Sequence, residues 1–153
     1  MDFGLSNEQE MIIDSVKNFV EKELYPHEDE VEKSNHIDES LAESIKKKAI
    51  QLGLYATNMP EEYGGGGLDT LTLCLLEKEL GKANFGLQYI VARPSNILMA
   101  CKGNQIEKYL IPTIRGEKVD CLAMTEPNAG SDVRSMQCRA EKDGDFFVIN
   151  GSK

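Results

Sequence analysis

Thr125-Glu126-Pro127-Asn128-Ala129-Gly130-Ser131-Asp132 gathers two hydroxyls, two carboxylates and a glycine into one short stretch. Pro127, Asn128 and Gly130 are turn formers, and turn chemistry alone accounts for the segment. The same residues set the Thr125 and Ser131 hydroxyls beside exposed backbone N–H groups, which together can hold a phosphate or a heteroaromatic ring. Both readings stay open on these residues alone. Glu126 stands next to a proline in a turn, where a carboxylate pairs with a nearby base or accepts backbone N–H groups rather than acting as a catalytic base.

Other candidate chemistries are weaker. The run Gly64 to Gly67 invites a phosphate cradle but lacks the Lys-Ser/Thr ending of a P-loop, and it is read as a plain flexible loop. His27 and His36 stand in an acidic stretch with no second ligand at metal-binding spacing. Cys74, Cys101, Cys121 and Cys138 form no Cys-x-x-Cys pair and are read as reduced, mostly buried thiols. No Ser/His/Asp or Cys/His constellation can be assembled, which sets hydrolase chemistry aside.

The elements that must position the Thr125–Asp132 loop begin with helices. Ile12, Ile13, Val16, Phe19, Val20 and Leu24 recur at helical spacing from Ser6 to Tyr25. Ser6 and Gln9 form a capping box, and Pro26 marks the expected end. The acidic stretch Glu28 to Asn35 can extend either neighbour. A second helix is expected from a cap at Asp38 through Leu52, closed by Gly53, and a third from near Asp69 that turns Leu71, Cys74, Leu75 and Leu80 inward before Gly81. Phe85 to Cys101 reads as a fourth, kinked at Pro94. Asn104 and Glu107 suggest a capping box for a short helix through Leu110, interrupted by Pro112 and ended by Gly116. From Val119 the pattern turns to three short strands, the last two flanking the hairpin signal Asp143-Gly144-Asp145.

The fold class is therefore mainly α: an N-terminal helical bundle of five to six helices over 1–118, followed by the first strands of a truncated β-barrel-like domain over 119–153. Three short strands cannot cover both faces of a sheet, so the chain is expected to be a fragment. The apolar fraction of 41% and charged fraction of 28% suit a packed globular protein. A net charge of -9 would repel nucleic acid and anionic membrane alike. With no signal-peptide pattern and no membrane-length apolar run, a cytoplasmic location is expected.

Met124-Thr125-Glu126-Pro127-Asn128-Ala129-Gly130-Ser131-Asp132 resembles the signature of the acyl-CoA dehydrogenase family in full. Pro60-Glu61-Glu62-Tyr63-Gly64-Gly65 is similar to the family's loop between its second and third helices, and Phe147-Val148-Ile149-Asn150-Gly151-Ser152-Lys153 to its hairpin strand. The resemblance covers the whole chain, and the three matches fall in the family's order.

It implies that Leu122, Met124 and Thr125 lie against the flavin of FAD, with the Thr125 hydroxyl on the ring's polar edge. Gly130 would let the backbone approach cofactor and substrate, and Ser131 would touch both the pyrophosphate and the CoA arm of an acyl-CoA substrate. Leu122 stands where the family often has an aromatic residue, so van der Waals contact rather than stacking is implied. The segment from Gln88 to Asn96 falls where family members line the acyl-chain pocket, which would let Arg93 face a polar acyl tail, an ordinary surface arginine being the simpler alternative. The implied reaction is oxidation of an acyl thioester to its trans-2-enoyl form, with a glutamate beyond this chain as base and hydride transfer to FAD. An electron-transferring flavoprotein would take the electrons, and the full-length protein would be a homo-oligomer. Two alternatives remain: an acyl-CoA oxidase, and a non-catalytic helical module for assembly. The 153 residues alone are expected to be inactive, with weak or no FAD retention.

Overall fold

The computed structural model describes residues 4–92 and 94–153, so Arg93 lies outside the described residues. The chain divides into two compact units, Met1–Asp120 and Cys121–Lys153. The first is helical. Helix α1 spans Asn7–Phe19, and its start carries both halves of the expected capping box: Ser6 Oγ accepts from Gln9 N–H while the Gln9 side chain accepts from Ser6 N–H.

Pro26 does not end this run. The α-helix gives way at Phe19 to a wide turn over Val20–Leu24, a tight turn over Tyr25–His27 contains the proline, and α2 resumes at Glu28–Ser34. Proline lacks an N–H, but the first turn of a new helix asks for none there. The acidic stretch is thus a helix of its own. Helix α3, Glu39–Gln51, closes on Gly53 at φ +70°, and Leu54 N–H reaches back to the Ala49 carbonyl.

Helix α4, Thr70–Leu80, begins at Asp69, whose carboxylate accepts from Leu71 N–H and Thr72 N–H. Its buried face matches the expected one only in part, at Leu80 and the half-buried Leu75. Thr72, Leu76, Glu79 and Leu80 point inward while Leu71 and Cys74 are exposed. The helix is apolar almost all round its first two turns, so periodicity could not choose a face. Polar pairing made the inward face tolerable: Thr72 Oγ1 meets Asp69 and Gln9, and Glu79 meets Lys82.

Helix α5, Phe85–Val91, is shorter than expected, because the chain leaves the helical region at Ala92 and only a tight turn follows over Asn96–Ala100. Pro94 breaks the helix rather than kinking it, since it has no N–H to donate and its ring would clash with a helical carbonyl four residues back. Asn58 secures the break by donating to the Pro94 carbonyl at 2.9 Å. The Asn104/Glu107 capping box does not form; Gln105 accepts from Lys102 N–H instead. A wide turn over Ile106–Leu110 passes into α6, Ile111–Ile114, which accommodates Pro112 in its first turn before Gly116.

Val16, Phe19, Leu24, Ile45, Leu76, Leu80, Leu87 and Leu110 anchor one core. The glycine run is part of its cover and departs from a flexible loop. The N–H groups of Gly64, Gly65, Gly66 and Gly67 donate to the carbonyls of Glu61, Pro60, Ala56 and Met59, so none is left to cradle a phosphate. No helix among the described residues is long and apolar enough to cross a membrane.

The second unit holds two antiparallel strands, β1 at Arg139–Asp143 and β2 at Phe146–Asn150, paired from Arg139↔Asn150 to Asp143↔Phe146. Gly144, at φ +58°, takes the first of two loop positions, where only glycine is at ease. The expected third strand is absent among the described residues: 121–125 pairs with nothing regular. The cysteines are free as expected but not mostly buried, since Cys74 and Cys121 are exposed and Cys101 and Cys138 half-buried.

Candidate functional site

The loop ahead of the hairpin is built around Glu126. Glu126 and Ala129 exchange backbone hydrogen bonds of 3.0 and 3.1 Å across the Pro127-Asn128 turn. The Glu126 side chain then folds under the loop, where it is 5% exposed. Its carboxylate accepts from Gln137 N–H at 2.6 Å and Cys138 N–H at 3.0 Å, and from the Lys153 ammonium at 2.9 Å. The expectation that this glutamate pairs with a base or accepts backbone N–H groups is met twice over. Lys153 also donates to the Met124 carbonyl at 2.9 Å and contacts Met136 Sδ at 3.3 Å. Gly151 permits this closure, because a Cβ there would fall 2.6 Å from Cys138 Cα.

Hydrogen bonding to its charged form, first from Gln137 N–H and then from Lys153, holds the Glu126 carboxyl below its ordinary pKa. A carboxylate already saturated with donors is a poor proton acceptor, which removes Glu126 as a general base. Stabilisation from a depressed carboxyl is present above the ordinary value and is lost as pH falls through the depressed one. Amide protection factors at Gln137 and Cys138 are expected to drop on acidification below about pH 4, and Glu126→Gln should abolish that dependence. Equal protection at neutral and acid pH in the unsubstituted chain would contradict this account.

Asp132 organises the far end of the loop. Its carboxylate accepts from Arg134 N–H at 3.1 Å and Ser135 Oγ at 2.5 Å, fixing a tight turn over Val133–Ser135. Between Glu126 and Asp132 lies the surface of interest. Leu122 and Met124 are exposed at 57% and 47%, and Thr125, Gly130 and Ser131 are exposed as well. Neither the Thr125 nor the Ser131 hydroxyl has a hydrogen-bond partner among the described residues. A Cβ on Gly130 would meet nothing within 4 Å. The loop therefore buries the Glu126 carboxylate, ties the exposed Asp132 carboxylate into a local turn, and presents two hydroxyls, a bare backbone and two apolar side chains outward.

Lys153, Gln137 and Cys138 were not legible as parts of this arrangement. Lys153 lies 27 residues from Glu126, and nothing in local spacing joins a turn glutamate to a lysine beyond a hairpin.

The chain is thus a helical unit followed by a hairpin unit whose leading loop turns two hydroxyls and a glycine outward. Residues 6–117 match the family model described as acyl-CoA dehydrogenase, N-terminal domain, and the chain belongs to the acyl-CoA dehydrogenase family. It is 38% identical to the probable acyl-CoA dehydrogenase YngJ of Bacillus subtilis, covering 100% of this chain and 40% of that one. It is likewise 38% identical to mitochondrial isovaleryl-CoA dehydrogenase of Pongo abelii, over 98% of this chain and 36% of the relative. A crystal structure of an acyl-CoA dehydrogenase complexed with FAD from Bacillus anthracis matches with a TM-score of 0.77 at 28% identity, over 96% of this chain and 26% of that one. The chain thus spans about 40% of the length of the first of these relatives.

Proposed function

We propose that this chain contributes the flavin-side loop of an FAD-dependent oxidoreductase that converts acyl-CoA thioesters to trans-2-enoyl-CoA. The observation that carries the proposal is the complete family motif folded so that Glu126 and Asp132 are satisfied internally while Thr125, Gly130 and Ser131 face outward. That surface suits FAD: hydroxyls for its polar groups and open space over Gly130 for close backbone approach. FAD, when bound, supplies the hydride acceptor for the substrate β-carbon.

The chain's own residues bind and orient. The Thr125 hydroxyl would hydrogen-bond the polar edge of the ring, and Leu122 and Met124 would cover the ring and exclude water. Gly130 and Ser131 serve the pyrophosphate and the CoA arm, Ser131 touching both ligands. The α-proton passes to a glutamate outside these residues, placed across the substrate from the flavin. An electron-transferring flavoprotein as acceptor and a homo-oligomeric holoenzyme belong to the same proposal.

Full-length protein should carry FAD, lose its flavin absorbance on anaerobic addition of a suitable acyl-CoA, and release the 2-enoyl thioester. Protein that binds no flavin, or flavin that no member of a straight and branched acyl-CoA panel reduces, would overturn the proposal. Stoichiometric oxygen consumption would reassign it as an oxidase. Within that protein Thr125→Val should weaken FAD binding about tenfold, roughly 1.4 kcal/mol, because one hydrogen bond to the ring is lost without loss of shape. A turn-only role for Thr125 would leave FAD affinity unchanged.

A further inference from the structure

Thr125 is free at its side chain but held on both flanks of its backbone. Before it, the Met124 carbonyl accepts from Lys153 Nζ at 2.9 Å. After it, Glu126 N–H donates to the Ala129 carbonyl at 3.0 Å, and the Glu126 carboxylate is gripped by Lys153 and by the N–H groups of Gln137 and Cys138. An ammonium has three donors, and all three are engaged here, on Glu126, Met124 and Met136. One lysine from beyond β2 thereby fixes the two residues that bracket Thr125.

We infer that Glu126 and Lys153 are positioning residues for the cofactor: they hold the Met124–Thr125 backbone in one geometry, so that the Thr125 hydroxyl and its neighbours meet the flavin without reordering. This rests on the flavin-side role proposed above. A binding group already fixed by its supports loses little conformational freedom on complex formation, whereas the same group on a loose loop must be ordered by the ligand. Both side chains are spent on each other, on backbone groups and on Met136, so the effect is carried by the backbone between them.

The test uses full-length protein and readings other than turnover. Lys153→Met is expected to weaken FAD binding at least tenfold, to shift the bound flavin's absorbance bands, and to speed amide exchange at Thr125 at least tenfold, with exchange in the helical unit unchanged. Lys153→Arg, which keeps the charge beside Glu126, should recover affinity to within about threefold of the unsubstituted protein. Wild-type affinity and an unshifted spectrum in Lys153→Met would overturn the inference, whatever happens to stability, because a purely structural tie moves only the latter. If Lys153→Met yields no folded protein, the isosteric Glu126→Gln decides the matter through the same readings. Unsubstituted protein that binds no FAD sinks the flavin role itself, whereas normal binding with indifferent variants sinks only the positioning role.

Discussion

Replacing Gly65 with alanine is expected to destabilise the helical unit by about 3 kcal/mol, a large part of the total stability of an ordinary domain. The reason is steric. A Cβ at this position falls 2.3 Å from the Met59 carbonyl oxygen and 2.5 Å from Met59 carbonyl carbon and Cβ. Backbone cannot swing aside as a side-chain tip can. The Met59 side chain is completely buried, and its carbonyl also accepts from Gly67 N–H at 2.8 Å. Making room for the methyl therefore disturbs a core residue and a hydrogen bond of the glycine run together.

Gly53→Ala provides the contrast. Gly53 sits at φ +70°, and a Cβ there would have nothing within 4 Å, so its substitution meets only backbone strain of about 1 kcal/mol. Urea unfolding followed by far-ultraviolet circular dichroism separates the two. If Gly65→Ala loses no more stability than Gly53→Ala, the tight backbone crossing over 56–68 is wrong.

The glycine run also marks where sequence reasoning stops. Four glycines announce a loop, and a loop is what forms, but composition does not say whether glycine is there for freedom or for close approach. That depends on Ala56, Met59 and Pro60, whose carbonyls accept from the run and whose positions are set by the core. The choice of buried face on α4 failed in part for a related reason. Leu71, Leu73, Leu75 and Leu76 leave several equivalent faces, and only the partners of Thr72 and Glu79 decide among them. Features closed within a few residues were legible: the Ser6/Gln9 box, the start of α4 at Asp69, Gly53 after α3 and the Gly144 turn all stand where spacing put them, whereas Asp38, expected as a cap for α3, makes no side-chain capping bond. In the candidate site the same division holds. The motif and its turn could be read directly, and Glu126 could be assigned to pairing, whereas its partner Lys153 is a product of the hairpin's return.

Gly130→Ala is the second large expected effect, and it falls on binding rather than on folding. From the motif alone, a failed alanine variant could mean a strained backbone or a blocked ligand. The structure separates these causes. Gly130 is not among the residues with positive φ, and a Cβ there has open space, so nothing in the chain itself demands glycine. Any demand must come from a partner approaching the loop. In full-length protein, Gly130→Ala is expected to retain the unfolding midpoint of the parent while FAD affinity falls at least tenfold, equivalent to about 1.4 kcal/mol. Flavin fluorescence titration of the apoprotein measures the affinity, and thermal unfolding without FAD measures the stability. A variant that unfolds early yet binds FAD normally would place the need for glycine inside the chain. Undiminished affinity with unchanged stability would move the cofactor away from Gly130, and with it the part of the proposed site that sets backbone against ligand.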